Sequence, residues 1–127
     1  MDNQTPPATT DTETTTPEPQ TVSYDDFATL TIRVGTIVAA EVVPDADRLL
    51  RLEVDFGDEQ RQIVSGIREF VDSPSDLVGT QSPFITNLAP RTIRGLESQG
   101  MILAVGDSDT FAFLRPHRAI PAGTNVH

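Results

Sequence analysis

Apolar and charged residues alternate strictly along LRLEVDF, residues 50–56, and this period of two predicts a β-strand. Its apolar side chains share one face: Leu50, Leu52, Val54 and Phe56. The residues that follow, GDEQ, predict a turn, and RQIVSGI at 61–67 predicts the returning strand. The middle of the chain is therefore expected to form a β-hairpin with one buried face.

Further strands are predicted wherever β-branched, aromatic and aliphatic residues cluster. These segments are TIRVGTIVAAEVV at 31–43, PFITNL at 83–88, GMILAV at 100–105 and TFAFL at 110–114. Gly35 lies inside the longest of them, and a glycine within a strand indicates a bulge or a sharp bend. We therefore expect a first strand that curves.

Helix signals are sparse and short. A helical turn is predicted over residues 26–30, leading into the first strand. Residues 73–79, SPSDLVG, predict one short helix with Ser73 as N-cap, Pro74 at the first position, Asp76 at the third and Gly79 as its end.

About five strands, a curved first strand and one short helix before the fourth strand predict an all-β fold. The five-stranded oligonucleotide/oligosaccharide-binding (OB) barrel has this arrangement, here with a C-terminal extension, and such barrels commonly bind nucleic acids. A small sandwich would give nearly the same periodicity. Pattern alone favours the barrel only slightly.

Residues 1–21 differ in composition from the rest of the chain. They contain eight Thr and four Pro, and no aliphatic residue larger than Ala apart from Met1. Such a segment cannot bury enough apolar surface to offset its chain entropy, so we expect a disordered acidic tail before a domain at 22–127. No signal peptide or membrane-spanning run is apparent, so we expect a cytoplasmic protein without a membrane partner.

Charge is distributed unevenly along the chain. Nineteen acidic residues face nine basic residues, all of them Arg, for a formal net charge of −10. The lack of Lys resembles proteins from very salty cytoplasm, although a GC-rich genome would produce the same bias. Residues 21–76 contain twelve acidic residues and five Arg, whereas 77–127 contain three and four. An anion-binding site is therefore more readily placed in the second half.

Catalytic chemistry has little support in the sequence. There are no cysteines, and the histidines, His117 and His127, lack partners at metal-ligand spacing. Asp45 and Asp47 lack the further ligands of a calcium loop. No phosphate-binding glycine loop or nucleophile elbow is present. We expect no catalysis, no metal and no cofactor.

Residues 77–96 contain no acid but include Arg91 and Arg94. Together with Asn87, Ser98 and Gln99, these arginines could supply donors to phosphates and base edges. Alternatively, the segment is a polar loop joining two strands, with Gly95 and Gly100 as turn residues. The residue types alone leave both interpretations open.

Several motifs occur in an order that resembles one family. ADRLLRLEVDFGDEQRQIVSGI, then LVG and NLAPRTIRGLESQGMILA, then PAGTNV are similar to the tRNA-binding domain appended to methionyl-tRNA synthetases and to its free-standing dimeric relatives. The resemblance covers about residues 24–126. It implies an OB barrel, a homodimer, and recognition of tRNA largely by its folded shape.

The resemblance also implies residue roles. Those expected to face RNA are Arg33, Arg48, Ser65, Asn87, Arg91, Arg94, Ser98 and Met101. Expected core residues are Leu49, Leu50, Val54, Ile63, Val64 and Leu103, and expected structural ones are Gly66, Pro90, Gly95 and Gly100. Relatives often carry lysines where this chain has Thr80, Gln81 and Thr92, which affects the expected affinity more than the fold.

We therefore expect a non-catalytic, homodimeric tRNA-binding protein, free-standing or assisting an aminoacyl-tRNA synthetase of methionyl type in trans. A related branch of the family consists of secretion chaperones that bind peptides, so peptide binding remains an alternative. A dimerisation module without RNA affinity is another, given the acidic charge. Arg115 and Arg118 fit either a dimer interface or an RNA contact.

Overall fold

The computed structural model of this chain describes residues 20–127, and the predicted tail lies almost wholly outside the described residues. The strands are β1 Ile32–Val43, β2 Ala46–Asp55, β3 Gln60–Ser65, β4 Gln81–Ile85, β5 Arg91–Ile93, β6 Leu96–Ser98, β7 Met101–Ile102, β8 Ala104–Val105, β9 Ala112–Phe113 and β10 Asn125–Val126. One short α-helix, α1, spans Tyr24–Ala28, and 3₁₀ turns span Arg68–Phe70, Pro74–Leu77 and Ser108–Thr110. The predicted all-β class is confirmed.

The main sheet is antiparallel and runs in the order β3–β2–β1–β4–β7, with β10 paired to the start of β1. Besides β10, the long strand β1 has two partners, which it meets along different parts of its length. Its first part, from Ile32 to Thr36, pairs with β4, and its later part, from Thr36 to Val43, pairs with β2. This arrangement places the C-terminal residues beside the beginning of β1.

Isolated hydrogen bonds connect the free edge of β3 to the end of β6 and the residue after it. The Gln99 N–H donates to the Gln62 carbonyl at 2.8 Å, and the Val64 N–H donates to Ser98 Oγ at 3.0 Å. The β3 edge is therefore linked to residues 98–99, just before β7, and no ladder joins β3 to β7 in the described part.

The core lies on the face that the alternation of residues 50–56 predicts. Leu50, Leu52 and Val54 are fully buried, and Phe56 packs edge-to-face on Phe84 with ring centroids 5.5 Å apart. Ile63 and Val64 are buried as expected. Leu49 and Leu103, also expected in the core, are only half-buried, because Leu49 lies on the opposite face of β2 and Leu103 lies between two short strands.

The helix predicted over residues 73–79 is smaller than expected. It is a single 3₁₀ turn, and the Ser73 side chain does not cap it, because Ser73 Oγ is instead 3.0 Å from Ser75 Oγ. Gly79 ends the segment at φ +90° and donates its N–H to the Ile37 carbonyl at 2.7 Å. The other predicted helical turn forms two residues earlier than expected, as α1, with the Ser23 hydroxyl as its N-cap.

Gly35 is required by packing and does not create the predicted bulge. The two register shifts of β1 against β2 fall further along, between Ile37 and Ala39 and between Val42 and Val43. A Cβ placed on Gly35 would lie 2.7 Å from Cε1 of Phe56 and would also overlap the Val54 side chain. The absence of a side chain therefore allows β1 to lie directly against the core residues of β2.

We expect Gly35→Ala to lower the free energy of unfolding by about 1–3 kcal/mol, because an added methyl overpacks this contact. Gly66→Ala is the matched control, since its Cβ would meet no atom closer than 3.8 Å. That control should stay within about 0.5 kcal/mol of the parent. Urea unfolding measures both, and equal stability of the two variants would contradict the packing argument.

Candidate nucleic-acid interface

Residues 91–98 form a β-hairpin, called here the arginine hairpin. Its strands β5 and β6 are antiparallel, with Arg91 opposite Ser98. The two turn residues, Arg94 and Gly95, have φ of 51° and 81°. Positive φ at both positions is the requirement of a type I′ turn, whose twist matches that of the flanking strands. The segment is thus an ordered projection with Arg94 at its tip.

Arg91 and Arg94 are both exposed, and neither forms an ion pair with any residue in the 20–127 range. Arg94 lines a surface cleft together with Arg48, Leu49, Asp45 and Asp47. The Arg48 side chain is 82% exposed, and its Nε lies 3.6 Å from a Glu69 oxygen. A contact this exposed is worth little, so Arg48 remains available to a stronger anion.

Three other arginines of the first half are already paired with neighbouring carboxylates. Arg33 pairs with Asp58 and Glu59, Arg51 with Glu41, and Arg61 with Glu59. Arg115 and Arg118, by contrast, have no acidic partner within the described residues and line another cleft beside Thr80 and Gln81. Within the described residues, the guanidinium groups without a carboxylate partner therefore lie mostly in the second half of the chain.

Arg33 points to a different place from the arginine hairpin. Its side chain is only 16% exposed, and its nitrogens donate to the Gly123 and Phe56 carbonyls at 3.3 and 3.1 Å as well as to Asp58 and Glu59. The hydrogen bond and charge of Arg33 lower the pKa of Asp58 below its ordinary value. In this structure Arg33 fastens the C-terminal extension to the β2–β3 turn, and its contact with RNA stays a prediction.

Two of the predicted RNA-facing polar residues are engaged within the protein. The Asn87 amide accepts from the Thr31 N–H at 2.8 Å and donates to the Thr29 carbonyl at 2.7 Å. Ser98 is 4% exposed, accepts from Val64 as described above, and donates to the Gly100 carbonyl at 3.0 Å. These residues shape the two ends of the hairpin segment, and direct RNA contact by either is untested.

The remaining two predicted positions differ in exposure. Ser65 is the half-buried last residue of β3, opposite Leu50. Met101 is 43% exposed on β7. Arg48, Arg91, Arg94 and Met101 are therefore the predicted positions whose side chains are free to meet a ligand.

Sequence reasoning missed Arg61. Its guanidinium donates to the carbonyls of Thr86 and Gln99, which lie on either side of the hairpin segment. An arginine on the polar face of a strand carries no sequence signal for such a role, because the acceptors are brought to it only by the tertiary fold.

Two other features bound the chemistry. Among residues 20–127, no group of three or more His, Cys, Asp or Glu side chains is arranged to hold a metal ion. No helix in that range is both long and apolar enough to cross a membrane.

Several known proteins are similar to this chain in sequence and in fold. The family described as "Putative tRNA binding domain" matches residues 32–125. Methionine–tRNA ligase of Methanosphaerula palustris is 47% identical over 110 residues, which are 87% of this chain and 16% of that enzyme. The chain thus spans about a sixth of the length of the ligases it matches.

Two solved structures are similar in fold to this chain along their whole length. The crystal structure of a MetRS-related protein from Pyrococcus horikoshii superposes with a TM-score of 0.80 at 32% identity, covering 86% of this chain and 100% of that one. The chaperone CsaA of Bacillus anthracis superposes with a TM-score of 0.76 at 31% identity, covering 85% and 100%. With the family match over residues 32–125, these likenesses show that the chain belongs to the tRNA-binding domain family.

Proposed function

We propose that this protein is a non-catalytic tRNA-binding protein that recognises folded tRNA and assists a methionyl-type aminoacyl-tRNA synthetase in trans. The observation that carries the proposal is the arginine hairpin, which presents Arg91 and Arg94 to solvent without an acidic partner in the described range. Arg48 adds a third guanidinium group at the cleft beside the hairpin tip. Membership of the tRNA-binding domain family supports tRNA as the ligand.

Short-range contacts must dominate this interaction, because the protein and the RNA are both negatively charged. Long-range attraction from a few arginines is weak, and at 1 M salt the Debye length is only about 3 Å. A guanidinium group nevertheless binds phosphate through paired hydrogen bonds, which tolerate screening better than a diffuse charge. Met101 offers an exposed apolar side chain for an unstacked base. Three arginines and a methionine thus provide contacts that work at close range.

A homodimer forms part of the proposal. Helix α1 buries none of its residues, and even its aromatic side chains are exposed, Tyr24 to 78% and Phe27 to 43%. Apolar side chains that remain exposed next to each other indicate an interaction surface, and Val22 and Leu30 extend this one. A second copy on a two-fold axis would cover this surface and double the RNA-binding area.

We expect Arg91→Ala/Arg94→Ala to abolish tRNA binding, because both guanidinium contacts to phosphate are removed. In gel-shift titrations across salt concentrations, each single substitution should reduce the slope of log K against log salt by about 0.9. Thr92→Ala is the control, since it alters the same hairpin without changing charge. A double variant that binds like the parent at every salt concentration would remove the site assignment.

Ligand class can be tested with the unmodified protein. We expect a complex with folded tRNA that persists against excess unstructured RNA, because the hairpin presents its arginines at fixed positions. Parallel titration of an extended apolar peptide tests the activity suggested by the likeness to CsaA. Peptide binding without tRNA binding would favour a chaperone, and binding of neither would favour a dimerisation module.

We expect Phe27→Glu to raise the dimer dissociation constant at least tenfold, or about 1.4 kcal/mol, because it places charge in the contact surface. Light scattering across protein concentrations measures this change. Val42→Glu is the control, since Val42 is 49% exposed on β1 and lies outside α1. A dimer unaffected by Phe27→Glu would contradict the placement of the interface at α1.

A further inference from the structure

Arg61 joins the two ends of the hairpin segment at its base. Its Nη1 donates to the Thr86 carbonyl and, at 3.1 Å, to the Gln99 carbonyl. Thr86 and Gln99 bracket residues 87–98, which contain the arginine hairpin and the exposed stretch leading into it. One guanidinium group therefore directly connects the chain entering the projection with the chain leaving it.

Glu59 fixes the orientation of that guanidinium group. Its two carboxylate oxygens accept from Arg61 Nε at 3.0 Å and Nη2 at 3.1 Å, a two-pronged pairing that sets the plane of the fork. The Arg61 side chain is only 24% exposed. Its three nitrogens all have acceptors within the protein, so a phosphate would have to displace bonds already made.

The two legs of the projection depend on Arg61 to different degrees. The outgoing leg has its own links to β3, from Gln62 Nε2 to the Glu97 carbonyl at 2.8 Å and from the Gln99 N–H to the Gln62 carbonyl at 2.8 Å. The incoming leg is held to residues 29–31, where the Thr86 N–H donates to the Thr31 carbonyl at 2.9 Å and the Asn87 amide bonds Thr29 and Thr31. Its described link to β3 is Arg61, and residues 88–90 beyond it are exposed. Loss of Arg61 should therefore loosen mainly the incoming leg, by releasing it from β3 while its bonds to residues 29–31 remain.

We propose that Arg61 is a positioning residue for tRNA binding: it holds the arginine hairpin at the angle from which Arg91 and Arg94 reach phosphates, without touching the RNA itself. This inference rests on the proposed function. A hairpin held in its binding orientation loses less conformational freedom when the ligand arrives, and the affinity rises accordingly.

The first test compares Arg61→Met with the parent. Met has a similar length and no donor, so the hairpin base should open while the exposed arginines remain. We expect tRNA affinity to fall about tenfold at fixed salt, with the slope of log K against log salt unchanged, because the bound state keeps its phosphate contacts. Amide hydrogen exchange over residues 87–93 should accelerate in the free protein and slow again with tRNA bound.

Two further variants separate positioning from direct contact. Arg61→Lys keeps the positive charge but cannot make the two-pronged pairing, so we expect it to bind as weakly as Arg61→Met. Glu59→Gln removes a negative charge near the RNA, and by electrostatics alone this change would strengthen tRNA binding. We expect weaker tRNA binding instead, because the two-pronged pairing between Glu59 and Arg61 is lost. Arg68→Met is the control, because Arg68 is half-buried and donates to the Val71 carbonyl, apart from the hairpin.

Three results would each overturn the positioning role. Arg61→Lys could bind tRNA with the affinity of the parent, or Arg61→Met could lower the slope of log K against log salt by about 0.9. Glu59→Gln could also bind tRNA more strongly than the parent. If Arg61→Met unfolds, Glu59→Gln alone decides: weaker tRNA binding supports the positioning role, and stronger binding contradicts it. A parent protein that binds no tRNA would instead refute the proposed function. Parent binding that is unchanged in Arg61→Met would refute only the part assigned to Arg61.

Discussion

A single carboxylate, Glu59, accepts hydrogen bonds from two arginines that hold distant parts of the chain. Arg33 carries the connection to the C-terminal extension at Gly123, and Arg61 carries the connection to the base of the arginine hairpin. The β2–β3 turn is therefore the point to which both the C-terminal extension and the base of the arginine hairpin are attached. Because guanidinium and carboxylate groups are both partly exposed here, the network contributes mainly geometry, and the buried core supplies most of the stability.

The arrangement also explains how so acidic a protein can retain a site for an anion. Most arginines of the first half are matched with carboxylates, and these pairs have structural roles. Arg91 and Arg94 form no ion pair with any of the described residues, although Asp45 and Asp47 line the same cleft as Arg94. Selective pairing, more than net charge, thus determines which guanidinium groups can meet a phosphate.

Much of the fold follows from local pattern, and much of the site does not. The alternation of residues 50–56 identified the buried face of β2, and the turn chemistry of GDEQ predicted the hairpin with β3. Arg33 and Ser98 look from the sequence like donors for a ligand, but their partners are far along the chain and meet them only after folding. The type I′ turn had a local signal in Gly95, yet Arg rather than Asn precedes it, so the segment was equally consistent with a loop.

Arg94 occupies a backbone conformation that suits Gly or Asn far better than a long side chain, at a cost of about 1 kcal/mol. The tip of the arginine hairpin is thus filled by a residue that makes its own turn less stable. A sequence selected only for folding would relax this position. The hairpin thus gives up local stability at its tip and gains a guanidinium group exposed to solvent.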